Sequence, residues 1–143
     1  MDITLLLTPD TIAPLFTRVF LGILFFMQGY DKIFNIKIAN VIETIRPSYH
    51  KLKLPDFMIA LSAYITSYIE LICGLLLIVG FMKYLSLYLL GIDLIIVSFG
   101  MSIINSVWNM QLVFPRFLLL LFLLIYPEEF DLISIDNLLT YLK

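Results

Sequence analysis

In this chain of 143 residues, 62% of the side chains are hydrophobic, only 14% are charged, and the mean hydropathy is +1.03. A soluble globule of this size needs more polar surface than that composition supplies, so the sequence predicts an integral membrane protein with the lipid bilayer as its first partner. The net charge of −2 gives no reason to expect nucleic acid or another polyanion as a partner.

Four segments approach the roughly 20 mostly apolar residues that a bilayer-spanning helix needs. They cover residues 12–34, 57–81, 84–106 and 109–126. The connections "FMKY" and "SVWN" are so short that the helices on either side of each should be antiparallel neighbours. We therefore expect an all-α protein, a four-helix transmembrane bundle that forms a single domain over residues 1–143.

The first connecting loop and the helix end before it are basic, with Lys32, Lys37, Arg46, Lys51 and Lys53. The positive-inside rule places this loop in the cytoplasm and both termini outside, in what we expect to be a bacterial or archaeal cytoplasmic membrane.

Two short helices are expected outside the spans. In the first loop, Ile38, Val41, Ile42 and Ile45 repeat with helical spacing, which predicts a helix that either lies on the membrane surface or packs as an ordinary loop helix. Near the C-terminus, Ser134 or Asp136 is a helix start signal before a leucine-rich stretch, and it predicts a second surface helix.

Each predicted span carries one charge at a similar depth. Counted from the outer span ends at ~1.5 Å per residue, Arg18 lies ~9 Å deep, Glu70 ~16 Å, Asp93 ~14 Å and Arg116 ~15 Å. Four unpaired charges near the bilayer centre would cost about 10 kcal/mol, whereas two arginines and two carboxylates sum to zero. We therefore predict that these four side chains converge in one charge layer. If that layer binds a ligand, we expect it to open toward the outer side, where Arg18 is shallowest and Pro115 loosens the fourth helix.

Three stretches carry a resemblance to a known family. "RVFLGILFFMQGYDKIF", "IELICGLLLIVGFMKYLSLYLLGID" and "YPEEFDLISIDNLL" are similar to the first-helix, second-helix and closing segments of DoxX/DoxD-like membrane proteins. The matching positions are Arg18, Gly29, Lys32, Glu70, Gly74, Ser134 and Asp136. The chain departs from the family pattern at Gln28, which often is histidine, and at Cys73, which replaces a glycine. Without that histidine, the resemblance gives no reason to expect a haem ligand or an imidazole proton relay at position 28. It does make Gln28 and Lys32 secondary site residues.

The resemblance implies a small membrane subunit linked to a quinone-coupled redox enzyme, more as a non-catalytic partner than as a catalyst. The charge layer then has three interpretations. It either fixes helix register only, or binds a quinone headgroup or small anion, or belongs to a small-solute transporter or an assembly factor or chaperone for another membrane protein. The sequence has no nucleotide-binding loop, and His50 stands alone, so no metal site is predicted and quinone is the one cofactor to consider. Another membrane redox protein and a second copy of the chain stay open as partners.

Overall fold

The computed structural model describes residues 8–50, 55–127 and 131–141, without the side chains of residues 48–50, 103–110, 140 and 141. This part of the chain is helical and contains no strand. Helix α1 covers Pro9–Tyr30 and passes into a π-helical turn, Asp31–Asn35. It is followed by α2 (Ile38–His50), α3 (Asp56–Val79), α4 (Lys83–Ile125) and α5 (Ile135–Tyr141).

Three helical segments are long and apolar enough to cross a membrane. They are Pro9–Asn35, Asp56–Val79 and Lys83–Ser102, and a shorter apolar helix covers Gln111–Ile125. The all-helical fold and the membrane class predicted from composition are therefore confirmed.

Helix α4 folds back on itself. Its 43 residues would extend ~65 Å if they were straight, yet a Cβ placed on Gly91 would lie only 3.7 Å from Leu120 Cδ2. The chain therefore reverses direction between Gly91 and Leu120, and we call Lys83–Ser102 the first arm and Gln111–Ile125 the last arm. Pro115 lies inside the helical last arm.

Glycines bring α1 and α3 into direct backbone contact. A Cβ on Gly29 would lie 2.5 Å from the backbone nitrogen of Leu71, and one on Gly74 would lie 2.4 Å from that of Phe26. A Cβ on Gly22 would be 2.9 Å from the carbonyl oxygen of Gly74. Residues on the two antiparallel helices thus face each other in a register that these close approaches determine.

The principal apolar core lies between α1, α3 and the two arms of α4. Its buried members are Leu21, Phe25, Cys73, Leu77, Leu87, Leu90, Leu94, Val113, Leu120 and Leu123. A smaller core joins α2 to α3, because Ile38 and Ile42 are buried against Ile59 and Ala63. These contacts agree with the packed loop helix, one of the two interpretations of α2.

Helix α5 begins where the sequence predicted. Its first turn is capped by Ser134, whose hydroxyl oxygen accepts a hydrogen bond from the backbone nitrogen of Asn137 at 3.2 Å. The same hydroxyl donates to the carbonyl oxygen of Asp131 at 3.0 Å, which holds the preceding segment in place.

Candidate functional site

Glu70 of α3 is the centre of the first group of buried polar side chains. It is 0% exposed, and Lys32 Nζ lies 2.7 Å from each of its carboxylate oxygens. Gln28 Nε2 donates a further hydrogen bond to Oε1 at 2.8 Å. The Glu70 charge is therefore well compensated although it has no contact with water.

Two further charged residues complete this group. Arg116 of the last arm donates a hydrogen bond to the Gln28 side-chain oxygen. Asp93 of the first arm is 0% exposed and interacts electrostatically with Glu70, Lys32 and Arg116. Within the described residues, neither carboxylate oxygen of Asp93 receives a hydrogen bond. We call Gln28, Lys32, Glu70, Asp93 and Arg116 the inner cluster.

The π-helical turn positions Lys32. The backbone nitrogen of Ile36 bonds the carbonyl oxygen of Asp31 at 2.8 Å, which is the wider i→i+5 spacing, and Asn35 Nδ2 bonds the Asp31 carboxylate at 2.6 Å. Two residues after the turn, Lys37 has a φ of 68°. Single π-helical turns often occur at functional sites, because they change the direction of side chains relative to a regular helix. No feature of the residue pattern signalled this turn.

Arg18 is not part of the inner cluster. Its guanidinium is buried at the other end of the bundle, where Nη2 donates to the carbonyl oxygen of Ile133 at 2.6 Å and Nε lies 3.6 Å from Asp131 Oδ1. Lys83 Nζ lies 3.2 Å from the other carboxylate oxygen of Asp131. Arg18, Lys83 and Asp131 are each no more than 2% exposed. We call them the outer cluster because they lie at the end of the fold that the sequence predicts to face outside.

The predicted convergence of Arg18 with the other three charges is thus corrected. The α1–α3 register places Gln28, not Arg18, beside Glu70, and ten residues of helix separate these two positions by ~15 Å. Lys32 supplies the second cation of the inner cluster instead. Lys83 and Asp131 were missed as site residues. The position of Arg18 close to the outer end was a signal that a carboxylate near that end would be needed to pair with it.

Asp136 holds the C-terminal segment against the start of α4, next to the outer cluster, through hydrogen bonds. Its carboxylate accepts hydrogen bonds from the backbone nitrogens of Met82 and Lys83, both at 3.0 Å, at the start of α4. Its own backbone nitrogen bonds the carbonyl oxygen of Gly80 at 3.1 Å. Gly80 has a φ of 75°, and a Cβ there would lie 1.5 Å from Arg18 Nη1, so only glycine fits.

A cavity of about 400 Å³ adjoins the inner cluster. Its polar lining residues are Gln28, Asp31, Lys32 and Arg116. The remaining lining residues are Leu24, Met27, Ile36, Val97, Met101, Leu112 and Val113. The cavity extends toward Ile36 and the first loop, at the end opposite the outer cluster, so the expected opening toward the outer side is wrong. The reason is that the charge at the outer end is enclosed by the C-terminal segment.

A smaller cavity of about 120 Å³ lies beneath α2, and Lys32, Val97 and Met101 line both cavities. The Lys32 side chain, 19% exposed, therefore stands between them. Among the described residues, no group of three or more His, Cys, Asp or Glu side chains is placed to hold a metal ion.

Comparison with known proteins gives one match. The family model DoxX matches residues 13–103, a range that includes four of the five inner-cluster residues but ends before Arg116 and Asp131. No curated protein and no solved structure matches the chain.

Proposed function

Since the chain belongs to the DoxX family, we propose that it is a small integral membrane subunit of a quinone-linked redox system and that its inner cluster binds the quinone headgroup. In this role it is a non-catalytic partner of a membrane redox enzyme. The family resemblance supports the redox association, and the cavity beside the inner cluster supports the ligand.

The observation that carries the proposal is a cavity in which two cations, Lys32 and Arg116, meet largely apolar walls, with Asp31 as the carboxylate in its lining. Lys32 and Arg116 can only donate hydrogen bonds, which suits the carbonyl oxygens of a quinone. The neighbouring Leu, Met and Val side chains suit its ring. The cavity volume lies within the roughly 300–1,000 Å³ of typical small-molecule sites.

We further propose that the last arm crosses the membrane as the fourth helix of a bundle with antiparallel neighbours. Its 15 described residues, Gln111–Ile125, would extend ~22 Å, less than the ~30 Å hydrocarbon core. A complete crossing therefore needs further residues at one or both ends of Gln111–Ile125.

The positive-inside rule places the first loop in the cytoplasm and both termini outside. Of the two basic residues expected on the opposite side, Lys83 is buried in an ion pair and does not weaken this assignment, and Lys143 lies outside the described residues. The cavity then faces the cytoplasmic half of the membrane.

Quinone titration of the purified protein in mild detergent tests the proposal. We expect saturable binding of 1,4-naphthoquinone by calorimetry, and Arg116→Gln should weaken it about tenfold or more, because a charged hydrogen bond contributes roughly 1.5–3 kcal/mol.

Arg18→Gln is the matched control, since the same substitution falls in the outer cluster, away from the cavity. It should lower the melting temperature but leave the quinone affinity of the folded protein unchanged. An absence of saturable binding would replace the proposal with a structural or assembly role. That role predicts instead that deleting the protein depletes a partner from the membrane.

A further inference from the structure

The two carboxylates of the inner cluster have very different surroundings. Glu70 receives three hydrogen bonds, from Gln28 and Lys32, so its negative charge is stabilised where it is. Asp93 is equally buried, yet its two oxygens receive no hydrogen bond from any described residue. A buried carboxylate without donors is stable only when a proton neutralises it or when its charge is balanced at a distance.

The charge count of the inner cluster depends on Asp93. With both carboxylates ionised, Lys32 and Arg116 are balanced and the cluster is neutral. With a proton on Asp93, the cluster carries one net positive charge, and its two cations line the cavity. An anion in the cavity and a negative charge on Asp93 would therefore compete for the same two cations.

We propose that the cavity binds its ligand as a monoanion and that Asp93 takes up one proton from the surrounding water as the anion enters. This inference rests on the proposed ligand site and specifies the form of the ligand, such as the ionised form of a hydroxyquinone. The step forms one O–H bond on the Asp93 carboxylate and transfers no electrons.

Among the described residues, four titratable groups interact electrostatically with Asp93 and enter this balance. Glu70 and the Cys73 thiol face it from α3, Lys32 from the π-helical turn and Arg116 from the last arm. The negative charge of Glu70 opposes ionisation of Asp93, and the positive charges of Lys32 and Arg116 favour that ionisation. An anion bound to these two cations therefore favours the protonated carboxyl.

Two ligands with the same ring provide the test. Binding is measured from about pH 6 to about pH 9. Over this range the acidic hydroxyl of 2-hydroxy-1,4-naphthoquinone is ionised, whereas 1,4-naphthoquinone is neutral. For the anion, the dissociation constant should rise with pH, by up to tenfold per unit, wherever Asp93 is ionised in the empty protein, and calorimetry in buffers of different ionisation enthalpy should show up to one proton taken up there. For the neutral ring, the dissociation constant should not depend on pH.

Asp93→Asn should bind the anion with an affinity that no longer changes with pH and without proton uptake. The matched control is Asp10→Asn, an exposed carboxylate on α1, which should behave as the natural protein does. Proton counts on the natural protein test the idea even if the Asp93 variant does not fold. Anion binding without proton uptake overturns this inference alone, and so does an unchanged pH profile in Asp93→Asn. If neither ring binds, the proposed function fails as well.

Discussion

Adding one methyl group at Gly74 should disrupt the inner cluster from a distance. In Gly74→Ala the new Cβ would lie 2.4 Å from the backbone nitrogen of Phe26, while ordinary contacts begin at 3.4 Å. The α1 and α3 backbones must therefore separate locally by about 1 Å. Gln28 lies half a turn beyond Phe26, and Glu70 lies one turn before Gly74. Their 2.8 Å hydrogen bond would then exceed the useful limit of about 3.2 Å.

The expected cost follows from three contributions. Overpacking costs about 1–3 kcal/mol, the weakened charged hydrogen bond about 1.5–3 kcal/mol, and the better helix propensity of alanine returns up to about 1 kcal/mol. The net destabilisation is about 1.5–6 kcal/mol.

Thermal unfolding in detergent, followed by circular dichroism, measures this effect as a melting temperature several degrees lower. Gly91→Ala is the control, because its Cβ would meet Leu120 at an ordinary 3.7 Å and should leave stability unchanged or slightly higher. Equal melting temperatures for the two variants would refute the assigned close packing of α1 on α3.

Two more stability changes are expected from the buried polar contacts. Glu70→Gln should lower the melting temperature far more than Lys37→Gln. The first substitution leaves the Lys32 ammonium without its carboxylate partner, at a cost of roughly 3–5 kcal/mol, whereas Lys37 is exposed. Comparable losses in the two variants would contradict the buried pair. Asp136→Ala should cost about 1–2 kcal/mol, measured in the same way, because it removes the acceptor of two amide hydrogen bonds at the start of α4. A fully stable variant would show that this cap contributes nothing.

Composition and spacing predicted the helical membrane fold, since few other structures satisfy backbone groups in so apolar a chain. They also identified Glu70, Asp93 and Arg116 as charges that need compensation. The assignment of Arg18 to the same layer was wrong because depth was counted from the ends of each span. Helix register depends on where glycines such as Gly74 allow the backbones to touch, and that contact joins residues far apart in sequence.

The remaining differences have local causes. The residue pattern of α2 is amphipathic whether its apolar face meets lipid or α3, so only the contacts of Ile38 and Ile42 separate the two interpretations. The π-helical turn changes the direction of Lys32 without any characteristic residue pattern. Asp131 was overlooked because it follows the last apolar segment and its partners lie on α1 and at the start of α4.

The pairing of Arg18 with Asp131 has a consequence for the order of events during synthesis. Asp131 follows Arg18 by 113 positions, so at about 5–20 residues per second it is made roughly 6–23 s later. During that interval the first helix holds a guanidinium without its carboxylate. The cost is at most that of a charge at the bilayer centre, about 2.5–3.5 kcal/mol, because Arg18 lies nearer the membrane surface. Stable integration of α1 therefore depends on the late C-terminal segment, and ribosome-bound chains that end before Asp131 should be extracted from membranes more readily than longer ones.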